Sequence, residues 1–427
     1  MSKNFDIMNL NIKINQTLNT ENLLFYSLIL IGWGLVIGPV IAELFFNLSV
    51  IFGFIYIKKK KIKLSKKYTI ILFIYWIFLI FTNSYHYYFS EVSPKIITSF
   101  AYIRYILFFI FIKEILFRLN YKKIILYQSI PVLFIALDVI FQKIFNFNVI
   151  GLVPSDNRFS SFFGDEYISG SYISKLFFPF IVVLSYYFIK VKFTFEFLLL
   201  IFLYSCFITG ERMAFISSLL TIPMCFIFFA ERRKFLLLFL ILTIFLSQFA
   251  LKNTRFEEIK NTMLKKGDNK SLVINFKQKF LTVLDQSGHL PLFITSHKIW
   301  KDNLLIGSGI NTFGTYCSDN KYKSYNNYKY GNCSTHPHNY YLEILNETGI
   351  IGFIIIFVFI FLVIIDAMKK IFSKQNNSLM CKSYLITLLT FLIVLSSGSF
   401  FNNFISIIFF MIITFLSSFS SKSLINK

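Results

Sequence analysis

Acidic residues are scarce in this chain: 21 Asp and Glu stand against 43 Lys and Arg, which gives a formal charge of +22. Such a surplus first suggests nucleic-acid binding, but the lysines cluster in short loops between apolar runs. That distribution is typical of an inserted membrane protein, so we predict membrane lipids as partners and no nucleic acid. The apolar runs also lack the apolar/polar alternation of a transmembrane β-barrel, which favours helices.

Apolar residues dominate, because hydrophobic types make up 56% of the 427 positions and Phe alone accounts for 57. A run of about 17–25 apolar residues is long enough to cross a bilayer. We therefore predict an all-α integral membrane protein with about twelve transmembrane helices. The predicted spans are 23–38, 40–57, 68–83, 100–117, 124–145, 172–189, 193–209, 213–230, 235–251, 350–368, 384–399 and 402–417.

Basic residues fall mainly on one side of these spans. That side carries the basic stretches 58–67, 118–123, 190–192, 232–234 and 369–382. The short loops on the other side hold only Lys95, Arg158 and Arg212. Because Lys and Arg accumulate in cytoplasmic loops, we expect both termini in the cytoplasm. The first 22 residues are polar and Asn-rich, and we see no cleavable signal peptide in them.

The predicted spans divide the chain into three parts. Residues 1–251 form a transmembrane bundle of about nine spans, 252–349 form one long periplasmic loop, and 350–427 hold the last spans and a short cytoplasmic tail. The loop is mostly polar with weak helical patterns, so we expect short helices that lie against the bundle. Long translocated loops do not obey the charge rule, which accounts for the lysines there.

Cysteine is rare, with five in the chain. Cys206, Cys225 and Cys381 lie in or beside spans and are predicted to be small apolar core residues. Cys317 and Cys333 lie in the long loop, and in an oxidising compartment they can pair. A bridge there would close a loop of about 15 residues and contribute about 3 kcal/mol; two free thiols are the alternative.

The most informative stretch is Cys-Ser-Thr-His-Pro-His-Asn-Tyr-Tyr-Leu, which runs from Cys333 to Leu342. After His338 and Asn339 come nine residues and then Gly349-x-x-Gly352, where a long apolar run begins. The pattern places a titratable imidazole close to a membrane boundary. We expect the two glycines to allow close helix contact there.

This pattern resembles the signature of the O-antigen ligase family, whose C-terminal domain is shared with O-antigen polymerases. Further stretches look like the same family and together cover most of residues 138–402. They are 156–166 followed by Gly170-Ser171-Tyr172, the arginine turn 209–215, the run 300–313, and the ending 396–402. One departure is Ile216, because the family usually has Leu four residues after the arginine.

The resemblance implies a GT-C-like membrane glycosyltransferase of the bacterial inner membrane. Such an enzyme moves a glycan from undecaprenyl diphosphate to a lipid A–core sugar hydroxyl at the periplasmic face. It also implies that His338 is the catalytic base and that Arg158 and Arg212 grip the diphosphate. We expect no cofactor and no metal, because the diphosphate ester already stores the driving force and we see no Asp-x-Asp or paired His at metal spacing.

Elementary chemistry supports the same roles. Arginine holds phosphate oxygens in pairs and keeps its proton, and histidine titrates near neutral pH, as a general base requires. The alternatives are a structural His338 that caps the next helix, His336 as the base, and an ordinary interfacial Arg212.

Several other side chains are weaker candidates. Arg104 could hold phosphate or extend toward the membrane surface, and Asp165 and Glu166 could orient an arginine or the acceptor. Asn339 is a candidate through its place beside the histidine. Asp138 and Gln142 could pair with each other or with Lys143, and we expect a structural role for them. The histidines that show no partner pattern, and that we expect at the surface or in loops, are His86, His289 and His297.

Three other functions remain open. A polymerase would use a lipid-linked repeat unit as acceptor, and the sequence hardly separates it from a ligase, although the His-Asn-x9-Gly-x-x-Gly pattern favours the ligase. A protein-glycosylating relative is a further variant. A secondary transporter would also have about twelve spans, but we find no inverted repeat and no matching pair of broken helices.

Overall fold

The structure is a computed structural model. It describes residues 19–90, 94–155, 158–189, 191–233, 289–322, 333–373, 379–393 and 398–421, with the single positions 237 and 241.

The described residues fold into helices and short turns. In chain order the helices are α1 (Thr20–Ile37), α2 (Pro39–Lys60), α3 (Lys66–Phe89), α4 (Ile96–Ala101), α5 (Ile103–Ile115), α6 (Tyr121–Phe145), α7 (Ser169–Val183), α8 (Thr194–Ile208), α9 (Arg212–Phe228), α10 (His289–Asp302), α11 (Phe313–Tyr316), α12 (Tyr340–Phe372), α13 (Leu379–Ile393) and α14 (Asn403–Ser420). No β-strand occurs within these ranges, so the all-α prediction is confirmed there.

Seven of the described helices are long and apolar enough to cross a bilayer: α1, α2, α3, α6, α7 with its π-helical extension to Phe188, α12 and α14. Three shorter apolar helices, α8, α9 and α13, have 15–17 residues. The predicted span 100–117 falls on the end of α4 and on α5, which join at Tyr102. The predicted span 235–251 lies almost wholly outside the described residues, so the count of twelve stays a prediction.

Close backbone contacts and aromatic stacking hold the bundle together. A Cβ added at Gly34 of α1 would lie 2.7 Å from the Cα of Ala42 in α2, so only glycine permits this approach. Helix α14 is buried along almost its whole length, and its Phe410 stacks on Tyr105 of α5 at 5.5 Å between ring centroids. The free Cys206, Cys225 and Cys381 are buried, which confirms their prediction as core residues.

The outer faces of the helices are apolar. On α3, Ile70, Ile74, Ile77 and Phe81 recur at helical spacing and are all more than half exposed. A continuous exposed apolar stripe of this kind marks contact with a nonpolar phase or a partner. Together with the helix lengths, it indicates a bundle surrounded by lipid.

The two ends of the bundle differ in charge. Helix α2 ends in Lys58, Lys59 and Lys60, and α12 carries Lys369 and Lys370 in its last turn. His338 immediately precedes the opposite end of α12. The length of α12 therefore separates its terminal lysines from His338.

Candidate functional site

His338 lies immediately before α12, in a conformation that few non-glycine residues adopt. Its φ is +55°, in the left-handed region. The cap of α12 is Asn339, whose side-chain oxygen accepts from the amides of Tyr341 and Leu342 at 2.9 and 3.2 Å. The alternative in which His338 caps this helix is therefore wrong. The cap fixes the backbone beside the imidazole, and His338 remains half-buried.

Two further histidines lie against His338. The ring of His336 is 4.1 Å away and that of His289 is 5.2 Å away, centroid to centroid. Ser334 places its hydroxyl 3.5 Å from the Nε2 of His338. His289 was expected at the surface or in a loop, which is wrong because the start of α10 carries it into this group. His297, one of the other two histidines without a partner pattern, is exposed as expected.

The electrostatic surroundings keep both neighbours of His338 neutral. Burial is the main reason that the pKa of His289 falls to about 4, and the charges of His338, Arg212 and Arg158 lower it further. The pKa of His336 also falls to about 4, first through burial and then through His338 and His289. The two predicted arginines and the predicted base therefore all act on one imidazole, that of His289.

These depressed pKa values predict acid sensitivity. The folded-state pKa of His289 and His336 lies below the ordinary 6.5, so the unfolded chain binds more protons between pH 6.5 and about 4. The stability present above pH 6.5 should therefore be lost as the pH falls through that window. Thermal unfolding measured from pH 7 to 4 should show this decline. The His336→Gln variant should make the decline smaller, because only His289 would remain, and His297→Gln should leave it unchanged; an equal decline in all three proteins would contradict the assignment.

Arg158 is carried by a loop that α6 holds in place. Asp138 accepts from the hydroxyl of Ser161 at 2.5 Å and from the amide of Val149 at 3.0 Å. Gln142, one helical turn on, accepts from the amide of Ser161 at 3.0 Å. By their sequence positions, Asp138 and Gln142 could pair with each other or with Lys143; the structure shows them bonded to the loop instead. Both side chains hold the loop on either side of the arginine.

The guanidinium of Arg158 lies 4.5 Å from the ring centroid of Tyr167. This cation–π contact holds the guanidinium beside the ring. Arg158 is partly exposed, so a ligand can reach it.

Arg212 opens α9, directly after a tight turn in which Gly210 has a φ of +73°. The preceding Glu211 accepts from the amides of Gly170 and Ser171 at 2.5 and 3.0 Å. Glu211 thereby ties the arginine turn to the N-terminal end of α7, where the helix dipole favours an anion.

The causes of the pKa shift of Glu211 identify the cations near it. Burial raises the pKa of this carboxyl, and the amide of Gly170, the ammonium of Lys175, the amide of Ser171 and the charge of Arg158 oppose the rise. The carboxylate beside Arg212 is therefore flanked by Arg158 and Lys175. Among the described residues, three cations and one anion meet here, so the group can accept an anionic ligand.

Helix α12 is fastened to the bundle by two buried carboxylates. Glu343 accepts from the hydroxyl of Ser399 and from the amide of Phe400, just before α14. Glu347, one turn further, accepts from the amides of Asn311 and Phe313 at 2.7 and 3.3 Å. Buried carboxylates with several donors hold their surroundings rigidly, and these two fix the helix that begins beside His338.

Two side chains of α3 form hydrogen bonds with the loop before α11. The Nε2 of His86 lies 2.6 Å from the carbonyl oxygen of Gly307, and Asn83 accepts from the amide of Ile310 at 2.8 Å. His86 is 3% exposed, so its expected place at the surface or in a loop is wrong. It is a structural histidine that is hydrogen-bonded to the loop that packs against the kink of α12.

At Gly349 this loop meets α12. The helix kinks there, with a φ of +61°, and the amide of Ile350 donates to the carbonyl of Leu304 at 2.9 Å. A Cβ on Gly349 would lie 2.3 Å from the carbonyl oxygen of Leu305. At Gly352 it would lie 2.9 Å from Phe78 of α3. Both glycines allow close contact, with the loop and with α3 respectively.

We expect Gly349→Ala to destabilise the protein by about 2 kcal/mol or more, because alanine disfavours a positive φ and the carbonyl leaves no room. The melting temperature of the purified protein and its glycan transfer should both fall. Gly398→Ala is the matched control, because its Cβ would make an ordinary contact of 3.5 Å with Ile405. Equal melting temperatures for the two variants would contradict this reading of the kink.

The disulfide holds the segment before the histidines. Cys317, just after α11, is bonded to Cys333, with 5.0 Å between their Cα atoms. The sulfur of Cys317 also contacts the carbonyl of Ser334 at 3.5 Å. The bridge therefore anchors the start of the stretch that ends in His338.

Three secondary candidates are not joined to this group by a side-chain contact within the described residues. The guanidinium of Arg104 pairs with Glu43 at 2.9 Å and also donates to Tyr105 at 3.0 Å, beside a cleft of about 400 Å³. Its charge is thus already compensated. Asp165 and Glu166 are exposed, and the structure gives their side chains no contact with His338, Arg158 or Arg212.

A family model described as O-antigen ligase matches residues 197–357. The match covers the arginine turn, α10, α11 and the His338 stretch, so this part of the chain is similar to the O-antigen ligase family. No curated protein matches the chain. The long apolar helices of the described ranges indicate a multi-pass membrane protein.

Proposed function

We propose that this protein is a membrane glycosyltransferase of the O-antigen ligase type. It transfers a glycan from undecaprenyl diphosphate to a sugar hydroxyl of lipid A–core at the periplasmic face of the inner membrane. The observation that carries this proposal is the group formed by His338, His289, Arg158 and Arg212. These residues come from four separate parts of the chain, and three of them had predicted roles.

In this reaction His338 takes the proton from the acceptor hydroxyl. The hydroxyl oxygen forms a bond to the anomeric carbon, and the bond between that carbon and the diphosphate oxygen breaks. Attack from the side opposite the leaving group inverts the anomeric configuration. The leaving undecaprenyl diphosphate keeps the bonding electron pair as negative charge.

Arg158 and Arg212 stabilise that charge. Each guanidinium can donate two N–H bonds to phosphate oxygens, and such bonds strengthen as the diphosphate gains charge in the transition state. We propose that this makes a metal ion and a nucleotide unnecessary. Because His289 and His336 are neutral, they add no positive charge beside the arginines.

The periplasmic assignment rests on charge asymmetry. His338 precedes the first turn of α12, whose last turn carries Lys369 and Lys370, and lysine-rich turns favour the cytoplasm. The Cys317–Cys333 bridge agrees with an oxidising compartment on the site's side. The membrane-embedded donor would then present its diphosphate at the boundary where the group lies.

The test is incubation of the purified full-length protein with an undecaprenyl-diphosphate-linked glycan and a lipid A–core acceptor, without nucleotide or metal. We expect a glycan–core product and released undecaprenyl diphosphate. A product in which two lipid-linked units are joined would make the protein the polymerase instead. No product from the wild-type protein, under conditions in which a known ligase is active, would contradict the proposal.

A further inference from the structure

Lys175 is a cation that the sequence patterns did not single out. It lies in the second turn of α7, a helix apolar enough to cross the membrane. Its ammonium donates to the hydroxyl of Ser171, lies 3.5 Å from the carbonyl of that residue, and is 5.7 Å from the ring centroid of Phe391. The side chain therefore turns back toward the N-terminal end of α7, where the candidate site lies.

Contacts on two sides connect Lys175 to the site. Phe391 stacks on Tyr340 with 5.0 Å between ring centroids, and Tyr340 is the first residue of α12, two positions after His338. On the other side, the amide of Ser171 donates to Glu211, which precedes Arg212. The ammonium of Lys175 thus lies on the membrane side of His338 and of the arginine turn, where α7 faces α13.

The charge of Lys175 has no direct counter-ion in the described part of the chain. Glu211 interacts with it electrostatically, but the Glu211 oxygens are occupied by the amides of Gly170 and Ser171, and no described carboxylate forms an ion pair with Lys175. The buried Lys113 of α5 differs, because it pairs with Glu114 at 3.0 Å. A cation inside a membrane-spanning helix is costly, so it usually has a partner or a function.

We propose that Lys175 is a third cation of the donor site and binds the phosphate of the diphosphate nearer to the polyprenyl chain. This inference rests on the function proposed above. The backbone of Lys175 lies six residues along α7 from its first residue, Ser169, which is about 9 Å of helix rise, and its ammonium reaches back to Ser171. It therefore approaches the ligand from the membrane side, where the lipid enters. Ser171 holds the ammonium until the phosphate replaces it.

This position predicts a preference for diphosphate over monophosphate. Arg158 and Arg212 serve either ligand, whereas the charge of Lys175 adds to them only when a second phosphate is present. A charge-assisted hydrogen bond contributes enough to change binding by about tenfold or more. A purely structural lysine would change stability without changing this preference.

The experiment measures binding of undecaprenyl diphosphate and undecaprenyl monophosphate to the full-length protein in detergent. The wild-type protein should prefer the diphosphate. Lys175→Met should weaken diphosphate binding by about tenfold or more while monophosphate binding changes little, and Lys175→Arg should restore much of the preference. The control Lys113→Met removes a buried lysine that also lies near an aromatic ring, 5.1 Å from Tyr68, and should leave the preference unchanged.

An unchanged diphosphate preference in Lys175→Met would overturn the inference, whatever the melting temperature. If that variant does not fold, Lys175→Gln takes its place, because its amide can still donate to Ser171. A different failure would be a wild-type protein that does not distinguish the two lipids and an Arg212→Ala variant that binds both as well as wild type. That result would reject the donor site itself, and the role of Lys175 with it.

Discussion

His338→Ala should reduce glycan transfer by about 10²–10⁴-fold, because the acceptor hydroxyl would lose its general base. Folding should be retained, since Asn339, and not His338, caps α12. Binding of the lipid-linked donor should persist, because the two arginines remain. The rate of transfer by the purified variant, compared with its affinity for undecaprenyl diphosphate, checks both parts.

Two variants serve as controls for this prediction. His297→Ala changes an exposed histidine on α10, which lies 5.5 Å from the ring of Trp300, and should leave transfer unchanged. His336→Ala removes the neighbour at 4.1 Å and separates the two candidate bases. If His336→Ala abolished transfer while His338→Ala did not, the base would be His336.

Arg212→Ala should weaken donor binding and transfer by about 10²-fold or more, because two charge-assisted hydrogen bonds to phosphate would be lost. Arg212→Lys keeps the charge but not the planar fork, so it should recover only part of the loss. Transfer rates at several donor concentrations measure both effects, and the loss should appear in the rate as well as in the apparent affinity.

Arg233→Ala is the matched control, since Arg233 is an exposed arginine just beyond the other end of α9 and donates to the carbonyl of Phe226. It should transfer glycan as the wild type does. Wild-type transfer by Arg212→Ala would remove this arginine from the donor site.

The sequence predicted most of the helices because membrane spans are set by the length of an apolar run, which is a local property. Where the prediction was less accurate, tertiary contacts decide the geometry. The predicted span 100–117 contains a break at Tyr102, where α4 gives way to α5. The span predicted from residue 350 agrees with the part of α12 that follows the non-helical Gly349, whereas the turns from Tyr340 to Gly349, which Asn339 caps, were not predicted.

The site was predicted only in part, and for the same reason. His338, Arg158 and Arg212 lie in stretches that resemble a known family. His289 and Lys175 lie in no such pattern, and only folding brings them to residues far away in the chain. Two other features of the sequence could have been used. Glu343 and Glu347, which anchor α12, share one helix face just before an apolar run, and Lys175 is a charge within a predicted span.

A structure of the protein with undecaprenyl diphosphate bound would test the donor site most directly. We expect both phosphates among Arg158, Arg212 and Lys175, with the imidazole of His338 facing the position that the anomeric carbon would occupy. A diphosphate bound elsewhere, for example in the cleft beside Arg104 and Glu43, with the guanidiniums of Arg158 and Arg212 left unoccupied, would contradict the proposed donor site.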